Sequence, residues 1–510
     1  MKVAVIGSGL ASYAACNVLE RKNIIPDVYD VGLSPTKKIE KFQLKLKKNL
    51  NKWSKSDTEQ LNNFSNVEKN EFPRKKFFGS DFIYSYINKS NFRNNPSYSK
   101  AYGGFSNVWS ASALFPNIND LKSWPKNSLP KLSIYKKYFM NIPYVSANDK
   151  IEKYFPNLKK NFSQIESDIK IDNLKKDLDK LNNTCFVTGS SRIFLETKKK
   201  DSKCRFCGYC MTGCSFESIF NAKDEFNKLL KKNKIKYYNN KKVVKFKKIG
   251  NKIRIFFDDS QQFVDYDKVL VGAGALSTSS IILNSLKKIR KVSLKHAALF
   301  VIPFLSLKSF SFNWPQTNTL SKIFIELKDI KSDNWAHCQL NQANEIVLNK
   351  LGYFRFNFFP LNLIYSFFLK RLFTLTCTLH SNYSGNYKVS SSKLNKKINI
   401  KYVKNIKSKK QINKIFSLLK KKFFNLNFFS LKYLINYAHK ADNYYIGGSF
   451  PMREAPSQYN HTNTLGEING LEGVHIIDSS TFPSIPATTF GLLIMLNSAR
   501  ITDKIFNLKK

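Results

Sequence analysis

Apolar residues in this chain change period several times, and each change predicts an element. Val3 to Ile6 is a β-branched run too short for a helix, the pattern of a buried parallel strand. A helical period follows from Leu10 to about Arg21, and Asp27 to Tyr29 reads as a second short strand. Residues 35–75 are rich in Lys and Asn with little apolar periodicity, which predicts a polar excursion. Lys122 to Phe194 alternates helical and polar stretches. Ile219 to Lys231 predicts an amphipathic helix, Ile235 to Phe257 a β-meander, and Asp267 to Thr278 a strand, a glycine turn and a helix start. Strands are expected at Lys322 to Leu327 and at the alternating HCQLN of 337–341. The aromatic-rich stretch 353–373 predicts core or lining, with a membrane-facing patch as the alternative. Val474 to Ile477 predicts a strand ending in Asp478, and Phe490 to Ile505 a helix.

Short strands alternate with helices toward both ends, and alternating strands fill the middle. This order predicts an α/β (α+β) chain in which a Rossmann-like nucleotide domain is assembled from residues 1–120, 195–290 and 441–510. A substrate or cap domain on an antiparallel sheet is expected from 121–194 and 291–440.

Composition narrows the class. With 42% hydrophobic and 14% aromatic residues the chain is not disordered. Its 84 Lys and Arg against 36 acids give a net charge of +48, yet the lysines recur along nearly the whole length, beside abundant Asn, Ile and Phe. The dispersal reads as compositional drift, not a nucleic-acid footprint, with attraction to anionic surfaces or polyanionic sugars as the alternative. No cleavable leader pattern precedes the first strand. The longest uncharged apolar-aromatic stretch, Phe356 to Leu369, contains Pro360 and falls short of the ~20 residues that cross a bilayer. A cytoplasmic protein is expected, with peripheral membrane contact as a further option.

The chemistry sits at the turns. Gly7, Gly9 and Ser12 stand at the spacing of a dinucleotide fingerprint, with serine in the third small position. The helix opening at Leu10 and Ala11 would aim its unpaired amides at a pyrophosphate, and Asp30 ends the second strand where an acid meets a ribose hydroxyl. Gly103 and Gly104 offer a second close backbone approach, beside Ser106, Asn107 and Trp109. Gly272 marks a second strand–glycine–helix turn. Pro483 and Pro486 stiffen the loop after Asp478, and the following helix start would stabilise negative charge on a flavin ring.

Taken together, GSGLAS with Asp30, AYGGFSNVW, VLVGAGALST and VHIIDSSTFPSIP followed by a helix resemble the glucose-methanol-choline (GMC) family of FAD-dependent oxidoreductases, in particular its members with a Cys-rich segment. The resemblance covers most of the chain. It implies that Gly7, Gly9, Leu10, Ala11, Ser12 and Asp30 hold the ADP half of FAD, and that Gly103, Gly104, Ser106 and Asn107 lie along the flavin. It places Val244 at the adenine, Asp478 at the ribityl-pyrophosphate, and Gly272 and Ala487 among the cofactor contacts. Family members pass hydride from an alcohol or sugar carbon to flavin N5 while a base takes the hydroxyl proton. Here the chain departs from the family. Tyr445 stands where the family has its catalytic His, Thr489 stands at the second position, and His439 and His461 flank the segment. A tyrosine with an ordinary pKa near ~10 serves as a base only if a cation or the oxidised flavin lowers it. An altered base, another reaction direction and lost alcohol oxidation all remain open.

Cys204, Cys207, Cys210 and Cys214 form C-x2-C-x2-C-x3-C, the run that ligates iron–sulfur clusters in bacterial ferredoxins. Four thiolates also suit zinc, and a structural or redox thiol group is the third reading. The four remaining cysteines are scattered, which favours a reducing compartment over a disulfide framework. The expectation is an FAD-dependent dehydrogenase acting on the CH–OH group of an alcohol or sugar, with electrons passing to an unspecified acceptor through an iron–sulfur cluster if the cysteines hold one. The rival is a basic surface- or glycan-binding protein that keeps the flavin domain as a scaffold.

Overall fold

The computed structural model describes the chain except for residues 36, 49–53, 55, 58–95, 97, 168, 208–209, 211–212, 259–261, 311–319, 343–362, 365–366, 369, 392–397, 438–443, 489 and 508–510. A five-stranded parallel sheet has the order 474–476, 268–271, 3–6, 27–29, 236–238. Val3–Ile6 is buried throughout, as a β-branched central strand of a sheet covered on both faces must be. Leu10–Arg21 packs beside it and against the last helix, Gly491–Asn507, where the Ser498 hydroxyl donates to Ala11 O at 2.6 Å. Strand order reverses at Val3–Ile6, since the chain leaves it on one side to 27–29 and returns on the other as 268–271. The carboxyl ends of these strands therefore open a crevice of the kind that receives nucleotides.

The segment 235–257 divides differently from the expected meander. Lys236–Tyr238 joins the edge of the parallel sheet, and the meander is Val243–Ile249, Lys252–Phe257 and Phe263–Tyr266. A hydrophobic pattern cannot show this, because an edge strand and a meander strand have the same period. The helix expected from Ile219 starts at Ala222, where the Asn221 side chain caps it by accepting from Asp224 N–H at 2.9 Å. Lys37–Lys48, expected as part of a polar excursion, is a helix that buries Phe42 and Leu46.

The larger sheet is antiparallel, in the order 428–429, 299–306, 372–378, 335–342, 323–328, 186–190, with 436–437 also paired to 299–306. One face packs Phe300, Ile325, Leu340 and Leu375 against the helices 169–180 and 407–424. The alternate residues His337, Gln339, Thr376 and Thr378 form a polar opposite face, set by the period of two that HCQLN displays. There His337 Nδ1 lies 2.7 Å from Glu326 Oε1, both side chains buried. A four-stranded sheet of 398–403, 386–391, 291–296 and 446–447 shares a core with the helix Ala275–Ser285. The fold is thus mixed α/β, a Rossmann-type sheet joined to an antiparallel-sheet unit.

Candidate functional site

Segments far apart in the sequence meet in one cavity of about 460 Å³ at the carboxyl ends of the parallel strands. Gly7, Gly9, Leu10, Ala11 and Asp30 line it from the first βαβ unit. Gly104 and Ser106 come from the Gly-Gly turn, Val244 from the meander, and Gly272 and Asp478 from the two returning strands. Ser12, Gly103, Asn107 and Ala487 are not on its wall. The Ser12 hydroxyl points back at Ile6 O and Gly272 O, 3.3 and 3.4 Å away. The Asn107 amide donates to Tyr102 O at 2.8 Å and to Gly104 O at 3.0 Å, fixing the Gly-Gly turn. Ala487 O accepts from Thr378 Oγ1 at 2.5 Å, tying the 483–490 loop to the polar face of the large sheet.

The cavity offers what a dinucleotide needs. In the fingerprint helix the first intrahelical bond runs from Tyr13 N–H to Gly9 O at 2.9 Å, so the amides ahead of it face the cavity with the positive end of the helix dipole. A Cβ placed on Gly9 would meet nothing within 4 Å, and one on Gly104 would lie 3.4 Å from Gly9 Cα, so the two bare turns oppose each other closely. Asp30 accepts from the Ser8 hydroxyl and from Tyr237 Oη at 3.2 Å, and Ser8 Oγ in turn accepts from Gly103 N–H at 2.8 Å. Ser8 and Tyr237 were not among the residues the motifs suggested. The signal for Ser8 was its place between the two fingerprint glycines, whereas Tyr237 became visible only once 236–238 joined the sheet.

Burial pushes the Asp30 carboxyl up to about 6, against the donation from Ser8 and Tyr237 that pulls it down. The ionised form is the one that accepts from a ribose hydroxyl. FAD affinity is therefore expected to rise by up to about tenfold as pH goes from about 5 to about 7, and to lose this slope in Asp30→Asn. FAD fluorescence titration across that range is the check, and equal affinity at both ends would refute the assignment. With the opposite sign, the apoprotein loses stability as pH rises from the ordinary carboxyl value through about 6, because the folded state holds the Asp30 proton more tightly than the unfolded one.

At the other end of the cavity stand Phe105, Tyr444, Phe490 and Ile494. The rings of Phe105 and Tyr444 meet edge to face at 5.1 Å. Tyr445 is not on the cavity wall. Its ring packs edge to face on Phe490 at 5.3 Å, and burial pushes its hydroxyl up to about 12, away from what a base at neutral pH requires. His461 also lies off the cavity, in the 451–470 segment, with its Nδ1 buried and its pKa lowered by desolvation. Thr489 and His439 fall outside the described residues.

The metal expectation finds no support. Among the described residues no group of three or more His, Cys, Asp or Glu side chains is placed to hold a metal ion. Cys204 and Cys210 turn into the apolar core of the nucleotide unit, while Cys207 and Cys214 are half-buried. Left-handed turns at Phe206 (φ 52°) and Gly213 (φ 98°) bend the loop, and Cys214 packs against the same core as Cys204 and Cys210. Burial pushes the Cys204 thiol up to about 11. An iron–sulfur or zinc site is unsupported, and none of the eight cysteines is in a disulfide.

No family model and no curated protein matches the chain. Many solved structures share its fold. One is pyridoxine 4-oxidase from Mesorbium loti, with a TM-score of 0.62 over 99% of this chain and 99% of that one at 10% sequence identity. At that identity the likeness is one of fold.

Proposed function

We propose that the chain is an FAD-dependent oxidoreductase that oxidises the CH–OH group of an alcohol or sugar. The observation that carries this reading is the cavity itself, where both glycine turns of the parallel sheet, the Gly-Gly turn, Asp30 and Asp478 converge. A solved structure of the same fold along its whole length is a pyridoxine oxidase, which supports the reaction class. The residues present fit FAD. Bare backbone at Gly9 and Gly104 would admit the pyrophosphate and flavin edge, the amides of Leu10 and Ala11 would hold the phosphates, and Asp30 the ribose. The Val244 backbone would meet the adenine. FAD supplies the hydride acceptor when bound.

The chain's own groups then orient and shield. Phe105, Tyr444 and Phe490 close the far end of the cavity and exclude water from it. Tyr445 remains a neutral phenol, so its role is to pack behind Phe490. Tyr445→Phe is expected to keep flavin and to leave the pH–rate profile between about pH 6 and 9 unchanged. A profile that loses a limb in steady-state assays would return Tyr445 to the base.

Purified protein is expected to be yellow and to release FAD on denaturation. Anaerobic mixing with a panel of alcohols and sugars should bleach the flavin absorbance. Protein that never carries flavin, or holds it without bleaching by any donor, would overturn the assignment; the second outcome with salt-sensitive polyanion binding would favour the scaffold reading.

A further inference from the structure

The outer end of the antiparallel sheet exposes an apolar surface that the cofactor site does not use. Leu363, Ile364, Phe367 and Phe368 are helical and 58%, 51%, 54% and 47% exposed. All four point to solvent, and their spacing of i, i+1, i+4 and i+5 is that of an apolar helical stripe. A second group adjoins it. Phe424 and Phe429 are exposed with rings edge to face at 5.5 Å, followed by exposed Leu431, Tyr433 and Leu434.

Backbone bonds join the groups around one strand end. Arg371 N–H donates to Phe368 O at 3.0 Å, Ser306 N–H to Arg371 O at 2.8 Å, and Leu307 N–H to Asn427 O at 3.0 Å. Leu305 pairs directly with Phe429. Nearly half of the large apolar side chains exposed among the described residues lie in this one region.

Cations frame the surface. The Arg371 guanidinium lies 3.8 Å from the Phe367 ring centroid, and Lys308, Lys370, Lys420, Lys421 and Lys432 are exposed around it. The dispersed charge of the chain has one marked asymmetry, because no Asp or Glu occurs between Glu345 and Asp442. Both halves of the patch fall inside that acid-free stretch.

Single exposed apolar residues are ordinary, whereas a contiguous apolar face with a cationic rim is an interface. Self-association would set like charge against like across a two-fold axis. Bulky aromatics interleaved with Lys and Arg, and no acids, match the headgroup layer of a bilayer. Among the described residues no helix is long and apolar enough to cross a membrane, so the contact is peripheral.

We propose that this end of the sheet docks on an anionic lipid bilayer, Leu363, Ile364, Phe367 and Phe368 entering the headgroup region while Arg371, Lys420 and Lys421 meet the anionic headgroups. The inference stands independently of the flavin reading.

The test is co-flotation of the full chain with unilamellar vesicles of pure phosphatidylcholine and of phosphatidylcholine containing phosphatidylglycerol. Binding is expected only to the second, weakening with salt. Phe367→Ser with Phe368→Ser should lower partition by about tenfold or more. Lys420→Gln and Lys421→Gln should each lower it by about fivefold. Because these side chains are exposed, thermal melts of the variants should match the parent, and the aromatic and lysine variants check each other. Equal binding to both vesicles, no binding, or variants that bind like the parent would overturn the proposal. So would a dimer in sedimentation analysis that the aromatic variants abolish.

Discussion

Asp478→Ala is expected to yield a protein that purifies without flavin and unfolds with about 3–6 kcal/mol less stability than the parent. The Asp478 carboxylate is 3% exposed and accepts three hydrogen bonds, from Gly274 N–H at 2.9 Å, Thr278 Oγ1 at 2.6 Å and Ser480 N–H at 2.9 Å. It caps the short helix Ser479–Thr481 and simultaneously anchors the second glycine turn. Alanine leaves all three donors buried without an acceptor, and an orphaned buried donor costs more than the bond it made was worth. The turn at 272–274 lines the cavity together with Asp478, Ser479 and Phe490, so their parting would open the proposed flavin seat. Asp478→Asn retains one acceptor oxygen and should fall between parent and alanine variant. Urea unfolding and bound-flavin absorbance measure both effects; an alanine variant with parental stability would refute the anchoring role.

Gly7→Ala should be nearly as damaging, at about 2–5 kcal/mol, together with loss of flavin. Gly7 has φ 95°, a region an L side chain rarely adopts. A Cβ there would lie 2.8 Å from Gly272 O and 3.1 Å from Ala273 Cα, and both obstacles are backbone. No rotamer change relieves such contacts, so the strands 3–6 and 268–271 must separate at the crevice. Gly9→Ala provides the contrast. Its backbone, at φ −75° and ψ −172°, suits alanine, and its Cβ would meet nothing within 4 Å. That variant should melt like the parent and lose only flavin affinity. If Gly9→Ala destabilised the apoprotein as much as Gly7→Ala, the division between turn geometry and ligand clearance would fail.

Much of the nucleotide half was legible in the sequence. The strand Val3–Ile6 and the helix Leu10–Arg21 were expected within a residue of where they form, because a buried parallel strand and an amphipathic helix both write their burial into local residue order. Lys236–Tyr238 and Lys37–Lys48 were misplaced. The first takes its sheet from a neighbour over 200 residues distant, and the second buries Phe42 and Leu46, which stand amid lysines.

The chain's residue order by itself determined the class of fold, the glycine turns and the acids at strand ends, since these follow from backbone conformation and period. Tertiary structure alone decided which of those residues share a cavity, that Tyr445 packs against Phe490 off the cavity wall, and that Cys204 and Cys210 are buried while Cys207 and Cys214 are half-buried. Convergence and desolvation are properties of groups brought together from distant positions. They depend on what each side chain meets after folding, and local spacing holds no record of that.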